Sequence, residues 1–309
     1  MGKITIILII TLILLAGIPF YLSYSFTHPD FEMSAQAVVK QDRLQNIPII
    51  QKSIDENEEQ IINHTEQISF LSRDGITLKG QLLKNTENKG TIILAHGWNA
   101  RKESMTKYAL FLNDDGYNIL LLDFRSYGES SGDYTSFGYA ERYDIMGAVD
   151  YIIARNDLSS NIGGLGASMG AAALVFAAVE TDQLKFLILD SCYTSIYDTL
   201  KNRFEYFHLP KHSPAAILTL SIGVMTGFNS FESSPAEAIK EVKAPAFIIQ
   251  GNADYRVTVE DAYKLHNSAQ NPRGILIIDG AKHIGSYKAE PNIYKAKVLE
   301  FVENANSAE

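Results

Sequence analysis

The feature that most constrains this chain is the run Ile162-Gly163-Gly164-Leu165-Gly166-Ala167-Ser168-Met169-Gly170. A short apolar stretch leads into Gly166-x-Ser168-x-Gly170, and an Ala-rich helical stretch, Ala171 to Val179, follows it. Strand, sharp turn, helix is the setting in which this glycine–serine pattern forms a nucleophile elbow. The turn holds the serine in a strained backbone conformation, and small residues at 166 and 170 keep the neighbouring chain clear. The hydroxyl then projects at a helix N-terminus, where the dipole favours developing negative charge. The same pattern also fits a glycine-rich turn whose serine is only a cap, so the rest of the chain must decide.

The 309 residues suit one large α/β domain with extensions. A net charge of −9 argues against a nucleic-acid surface and suggests a soluble acidic body. The single cysteine, Cys192, leaves no disulfide framework and no cysteine metal cluster. That usage fits a cytosolic protein and equally an exported bacterial one.

Ile4 to Tyr24 contains no charged residue and has about the length that spans a hydrocarbon core. Lys3 precedes it, and Asp30 and Glu32 follow. This predicts an N-terminal transmembrane helix within residues 1–25. By the positive-inside tendency, the body then lies outside the cytoplasmic membrane. A cleaved signal peptide is the alternative, with Ser23-Tyr24-Ser25 as a poor cleavage site. Residues 26–65 read as a stalk, because Met33 to Asn63 is polar and carries the run Asp55-Glu56-Asn57-Glu58-Glu59.

From residue 66 the pattern changes. Gln67 to Leu71 and Ile76 to Leu83 flank Arg73-Asp74-Gly75, a hairpin signal. Short apolar runs then alternate with helical stretches: strands at 91–95, 118–122, the elbow run, 186–189, 246–250 and 274–278, and helices at 102–114, 144–154 and 294–304. Such alternation predicts a mostly parallel sheet with helices on both faces. Active-site residues then belong on loops after the carboxyl ends of strands, where Ser168, Asp254 and His283 all fall. Residues 195–242 interrupt the alternation with aromatics, Leu209-Pro210 and an apolar stretch from Ala215 to Met225. They read either as a core helix pair or as a lid lined for an acyl chain.

Acyl transfer by a serine needs a base, an acid that orients the base, and donors for the oxyanion. The chain order Ser168, Asp254, His283 is the nucleophile, acid, histidine order of α/β-hydrolases. From about Gln67 onward the sequence resembles that superfamily. The likeness rests on His96-Gly97-Trp98, the turn Asp123 to Ser130, the elbow, Gly251-Asn252-Ala253-Asp254 and His283. Within the superfamily it is similar to bacterial membrane-anchored hydrolases grouped with serine-peptidase and esterase catalytic domains. The resemblance implies the α/β-hydrolase fold over residues 66–309, with Ser168 as nucleophile, His283 as general base and acid, and Asp254 as orienting carboxylate. It implies oxyanion donors in the backbone N–H groups of Trp98 and Met169. The family turn is often Asp-x-Arg-Gly-x-Gly-x-Ser, and here Ser126 replaces the first glycine.

The remaining candidates take structural readings. His96 braces its loop; Asp123 and Arg125 form a structural pair; His208 and His212 are separated by a helix-breaking Pro210 and make a poor metal site. Asp190, after the strand at 186–189, is a second possible acid. No cofactor or metal is expected. The expected partners are a small acyl ester or peptide-like substrate, and the membrane through the N-terminal helix. Gly164-x-Gly166-x-x-x-Gly170 imitates a dinucleotide fingerprint, but its spacing is one residue too long. The expected activity is carboxylic ester hydrolysis, with peptidase or thioesterase chemistry, or a non-catalytic scaffold, as alternatives.

Overall fold

The structure is a computed structural model and describes residues 17–29 and 65–306. Residues 1–16, most of the expected membrane span, lie outside these, as does the expected stalk at 33–63. Among the described residues no helix is long and apolar enough to cross a membrane.

The chain folds as an α/β-hydrolase. Eight strands form one sheet: β1 Glu66–Leu71, β2 Thr77–Leu83, β3 Thr91–Ala95, β4 Asn118–Asp123, β5 Ile162–Ala167, β6 Leu184–Asp190, β7 Ala246–Gly251 and β8 Pro272–Ile278. Their order across the sheet is β1-β2-β4-β3-β5-β6-β7-β8. β1 and β2 make the antiparallel hairpin expected from Asp74-Gly75, and β2 joins β4 antiparallel. The strands from β3 to β8 run parallel. β3, β4, β5 and β7 are buried along their whole length, which is why each reads as a continuous apolar run. β1 buries alternate residues instead, as an edge strand with one wet face does.

Helices cover both faces. One carries α2 Thr106–Asp114 and the long C-terminal helix Pro291–Asn306, packed on Ile92, Leu94, Phe186 and Ile249. The other carries α3 Arg142–Ile153 and α4 Met169–Glu180. Ala171, Ala172, Ala173 and Ala177 of α4 are fully buried, and their small side chains let it lie close to the sheet centre. Residues 195–242 form α5 Ile196–Tyr206, α6 His212–Thr226 and the short α7 Pro235–Ala238. Ser195 caps α5 by accepting from the Asp198 amide, and Gly227, at φ +74°, ends α6.

Two elements differ from expectation. Lys102 to Asp114 is not one helix; a 3₁₀ turn, Lys102–Met105, precedes α2. The last residues of the expected span and the three after it, Ile18–Thr27, form a helix (α1) packed on the body against α6. Ser23 and Thr27 are buried there, and the Phe26 carbonyl accepts from the Trp98 indole N–H at 2.9 Å. The boundary expected between anchor and stalk therefore falls inside a helix that belongs structurally to the body.

Candidate active site

Ser168 joins β5 to α4 with φ +51° and ψ −110°, a conformation unfavourable to any L-residue with a side chain. Its surroundings enforce that turn. A Cβ at Gly170 would stand 2.1 Å from the Ala95 carbonyl oxygen, and one at Gly166 2.5 Å from the Ala171 nitrogen. Glycine is therefore required at both positions. The Ser168 amide donates to the Asp190 carbonyl at 2.8 Å, tying the elbow to the neighbouring strand.

The structure brings three of the expected residues into a hydrogen-bonded series. His283 Nε2 lies 2.9 Å from Ser168 Oγ, and its Nδ1 lies 2.6 Å from Asp254 Oδ2. With Nδ1 as donor, Nε2 is free to accept the serine proton. Asp254 is buried at the end of β7, where its other oxygen accepts from the amides of Arg256 (2.8 Å) and Val257 (3.2 Å). Burial alone would raise its pKa; the hydrogen bond and charge of His283, with those two amides, outweigh burial and hold the carboxyl below its ordinary value.

Asp190 has other company. It is fully buried at the end of β6 and accepts from Tyr108 (3.2 Å), Tyr294 (3.0 Å) and Ser191 (2.9 Å). Burial pushes its pKa up against those donors. Ser191 Oγ in turn accepts from the Ile284 amide at 3.1 Å, so this cluster positions the loop that carries His283.

The loop of His96-Gly97-Trp98 lies against the elbow: a Cβ at Gly97 would meet the Ser168 Cβ at 3.6 Å. Among the described residues, neither the Trp98 nor the Met169 amide donates to a protein acceptor. Met169, in the first turn of α4, has no acceptor within its own helix. His96 is buried and braces its loop: Nε2 accepts from the Phe124 amide at 3.1 Å, so Nδ1 carries the proton and donates to the Gly97 carbonyl at 2.8 Å. Burial lowers its pKa, which keeps it neutral in that role.

Asp123 and Arg125 do not pair with each other, which corrects the expectation. Asp123 takes Lys102 Nζ at 2.7 Å, while Arg125 forks onto Asp144 and Asp74, both at 2.7 Å. Asp123 at the strand end and Arg125 two residues on are aimed at different neighbours. Ser126, where the related turn has glycine, keeps the glycine-like backbone at φ +65°. Of the two histidines at 208 and 212, His208 sits exposed after α5, and His212 meets the Tyr197 hydroxyl at 2.9 Å.

Ser168 and His283 open into a cavity of about 110 Å³ lined by Trp98, Phe137, Tyr193, Ile196, Leu200 and Ile222, and by Phe26 of α1. The lining is mainly apolar, as small-molecule pockets usually are. Two arginines, Arg203 and Arg256, also reach it. Sequence reasoning missed Phe26 and both arginines. Nothing local separates Phe26 from its apolar neighbours, since its position depends on α1 docking. A larger cavity of about 460 Å³ between Phe247 and Phe301 contains none of the three residues of the series.

Comparison with known proteins gives relatives of matching length. The chain is 27% identical over 248 residues to the uncharacterised protein YqkD of Bacillus subtilis, covering 79% of this chain and 81% of that one. Its fold matches an esterase of Pyrococcus furiosus with a TM-score of 0.68 at 23% identity, over 82% of this chain and 94% of the other. The esterase Est1E of Butyrivibrio proteoclasticus, solved with ferulic acid bound, matches with a TM-score of 0.60 at 21% identity, over 77% and 99%. The family model for prolyl oligopeptidases matches residues 103–308, a stretch that contains the elbow, Asp254 and His283. By that match the chain belongs to the prolyl oligopeptidase family.

Proposed function

We propose that the protein is a serine hydrolase that cleaves carboxylic esters through an acyl-enzyme intermediate. The observation that carries this reading is the unbroken series Ser168 Oγ, His283 and Asp254, at 2.9 and 2.6 Å, on a strained elbow. His283 takes the Ser168 proton as Oγ attacks the acyl carbon. Asp254, held ionised, orients the ring and stabilises the imidazolium. The oxyanion develops beside the amides of Trp98 and Met169, preorganised donors in a water-poor pocket. His283 then protonates the leaving alcohol, and a water activated by the same ring releases the acid. The esterase neighbours and the small apolar cavity favour esters. Family membership favours peptide bonds as the second reading.

A fluorophosphonate probe should label the wild-type protein at Ser168, and Ser168→Ala should abolish labelling and lower ester turnover on the order of 10⁶-fold without unfolding. Near wild-type turnover in the alanine variant would sink the assignment. Acyl esters of graded length, run beside peptide substrates, separate the two readings.

We further propose that the uncharged stretch Ile4 to Tyr24 attaches the protein to the cytoplasmic membrane with the catalytic body outside. The supports are its lack of charge, and Lys3 before it with Asp30 and Glu32 after.

A further inference from the structure

Three arginines of this fold that are largely withdrawn from water are paired with carboxylates. Arg125 holds Asp144 and Asp74, Arg142 holds Glu180, and Arg155 holds Asp157 and Glu66. Arg203 and Arg256 break the pattern. Both line the cavity of Ser168 and His283, and among the described residues neither guanidinium has a carboxylate within ion-pair distance or a hydrogen-bond acceptor. The Nε of Arg256 is buried with no partner. Burial, and then the charge of Arg256, lower the pKa of Arg203, so the two cations repel each other across a partly dry space.

That arrangement is held in place from several sides. The Arg256 amide is fixed by Asp254 at 2.8 Å, and the Arg256 carbonyl accepts from Asn202, the neighbour of Arg203 on α5, at 3.3 Å. Asn202 also donates to Asp261 at 2.7 Å. Tyr206 of α5 stacks on Tyr255 with ring centroids 4.0 Å apart. Arg203 thus comes from the inserted helices and Arg256 from the turn of the acid, and the contacts between those two elements keep both at one cavity.

A partly buried guanidinium without a carboxylate or hydrogen-bond partner is costly, and a second cation nearby adds to that cost. Arg256 meets the Tyr255 ring at 5.7 Å, but no described carboxylate pairs with either guanidinium, and both line the same cavity as Ser168. Guanidinium forks match carboxylate and phosphate oxygens, with strong charge-assisted hydrogen bonds. We propose that Arg203 and Arg256 form an anion subsite of the Ser168 cavity, so that the substrate is an acyl ester bearing a carboxylate or phosphate close to the scissile bond. The identity of the reacting bond rests on the hydrolase reading above; the anion subsite does not. The net charge of −9 makes the long-range field repel anions, so selection for the anion must be short-ranged, at these two side chains.

The test compares 4-butanoyloxybenzoate with its methyl ester, a pair that differs in one negative charge. The anionic ester should have a kcat/KM about tenfold above the neutral one, mainly through KM. Arg203→Gln and Arg256→Gln should each lower the anionic-to-neutral ratio by about tenfold, and Arg256→Lys should retain part of it. Melting temperature should hold or rise in the glutamine variants, whereas arginines with a purely structural role would lower it. Calorimetry on Ser168→Ala reads binding without turnover: the anionic ester should bind, and adding Arg203→Gln should weaken it by about tenfold. Equal handling of both esters, with binding indifferent to the arginines, would overturn the subsite and leave the hydrolase reading standing. No turnover of either ester, with arginine-dependent binding intact, would overturn the hydrolase reading and leave the subsite standing.

Discussion

Asp190 and Asp254 stand at the ends of adjacent strands, β6 and β7, and their surroundings give them opposite tasks. Asp254 meets a histidine and two amides; Asp190 meets three hydroxyls in a closed pocket. Asp254→Asn should keep the fold and lower turnover by about 10⁴-fold, because the imidazole loses its orienting partner. Asp190→Asn should destabilise by about 1–3 kcal/mol, since a donor replaces one acceptor of the hydroxyl cluster, and should lower turnover far less. Both variants need melting temperature and turnover measured; a well-folded, dead Asp190→Asn would reverse the roles. The pH dependence has a definite sign. The folded pKa of Asp190 is raised, so its protonated form is favoured in the folded state. The stability this contributes is present below the unfolded carboxylate value, near 3.9, and is lost as pH rises through the folded value. Asparagine cannot ionise, so the penalty of Asp190→Asn should be largest near the low end of that range and shrink toward neutral pH; a penalty that grows with pH contradicts this. At this scale the legible residues were those with a fixed place in a strand–turn pattern: Ser168 between its glycines, Asp254 after a small turn, His283 after the last strand. Arg203 and Arg256 were not legible, because a helix arginine and a loop arginine look like solvent-facing residues until the fold sets them around one cavity.

The buried strands from β3 to β7 could be read because burial on both faces demands unbroken apolar runs, and their observed limits differ from the expected ones by only a residue or two. The helix α8, Val259–Ser268, is amphipathic but escaped that reading, because it buries only Ala262 and Leu265 and offers no long apolar run. Its start was legible in principle: Thr258 and Asp261 form a capping box, each side chain bonding the other's backbone amide. α1 escaped for a different reason. Ile4 to Tyr24 is uncharged and mostly apolar, and such a stretch does not announce which part meets lipid and which meets protein. Its docking has a consequence for specificity, since Phe26 lines the cavity that contains Ser168 and His283. Phe26→Ala should lengthen the apolar wall available to a substrate and shift preference toward longer acyl chains. Each added methylene that becomes buried should be worth about 0.8 kcal/mol, or about fourfold in kcat/KM. Kinetics on acetyl, butanoyl, hexanoyl and octanoyl esters would read this directly. An equal loss on all four would mean that α1 supports the fold without shaping the acyl site.

At the scale of the whole molecule, the docking of α1 changes how the body would sit at a membrane. A stalk starting at residue 26 would let the body stand away from the bilayer. Instead, residues 18–27 pack on α6, with Ser23 and Thr27 buried between them, and neither helix contains an Asp, Glu, Lys or Arg. The outward side of this pair is apolar: Tyr21 is 71% and Val224 70% exposed, with Phe20 and Leu220 also open. A body tethered through residues 4–17 would therefore meet the bilayer with an uncharged face beside its own active site. Adding protease to intact cells tests the topology and the docking together. If the body is outside, cleavage should occur within residues 33–63 without lysis; protection until lysis would place the body in the cytoplasm. After cleavage the body and the N-terminal fragment share no covalent bond, yet α1 packing and the Trp98–Phe26 hydrogen bond still join them. The body should therefore stay in the membrane pellet after cleavage and come off with detergent or denaturant. Trp98→Phe removes the indole donor and should increase the fraction released. Quantitative release of the wild-type body on cleavage, with no detergent, would show that α1 does not hold it, and the role of Phe26 in the acyl site would fall with it.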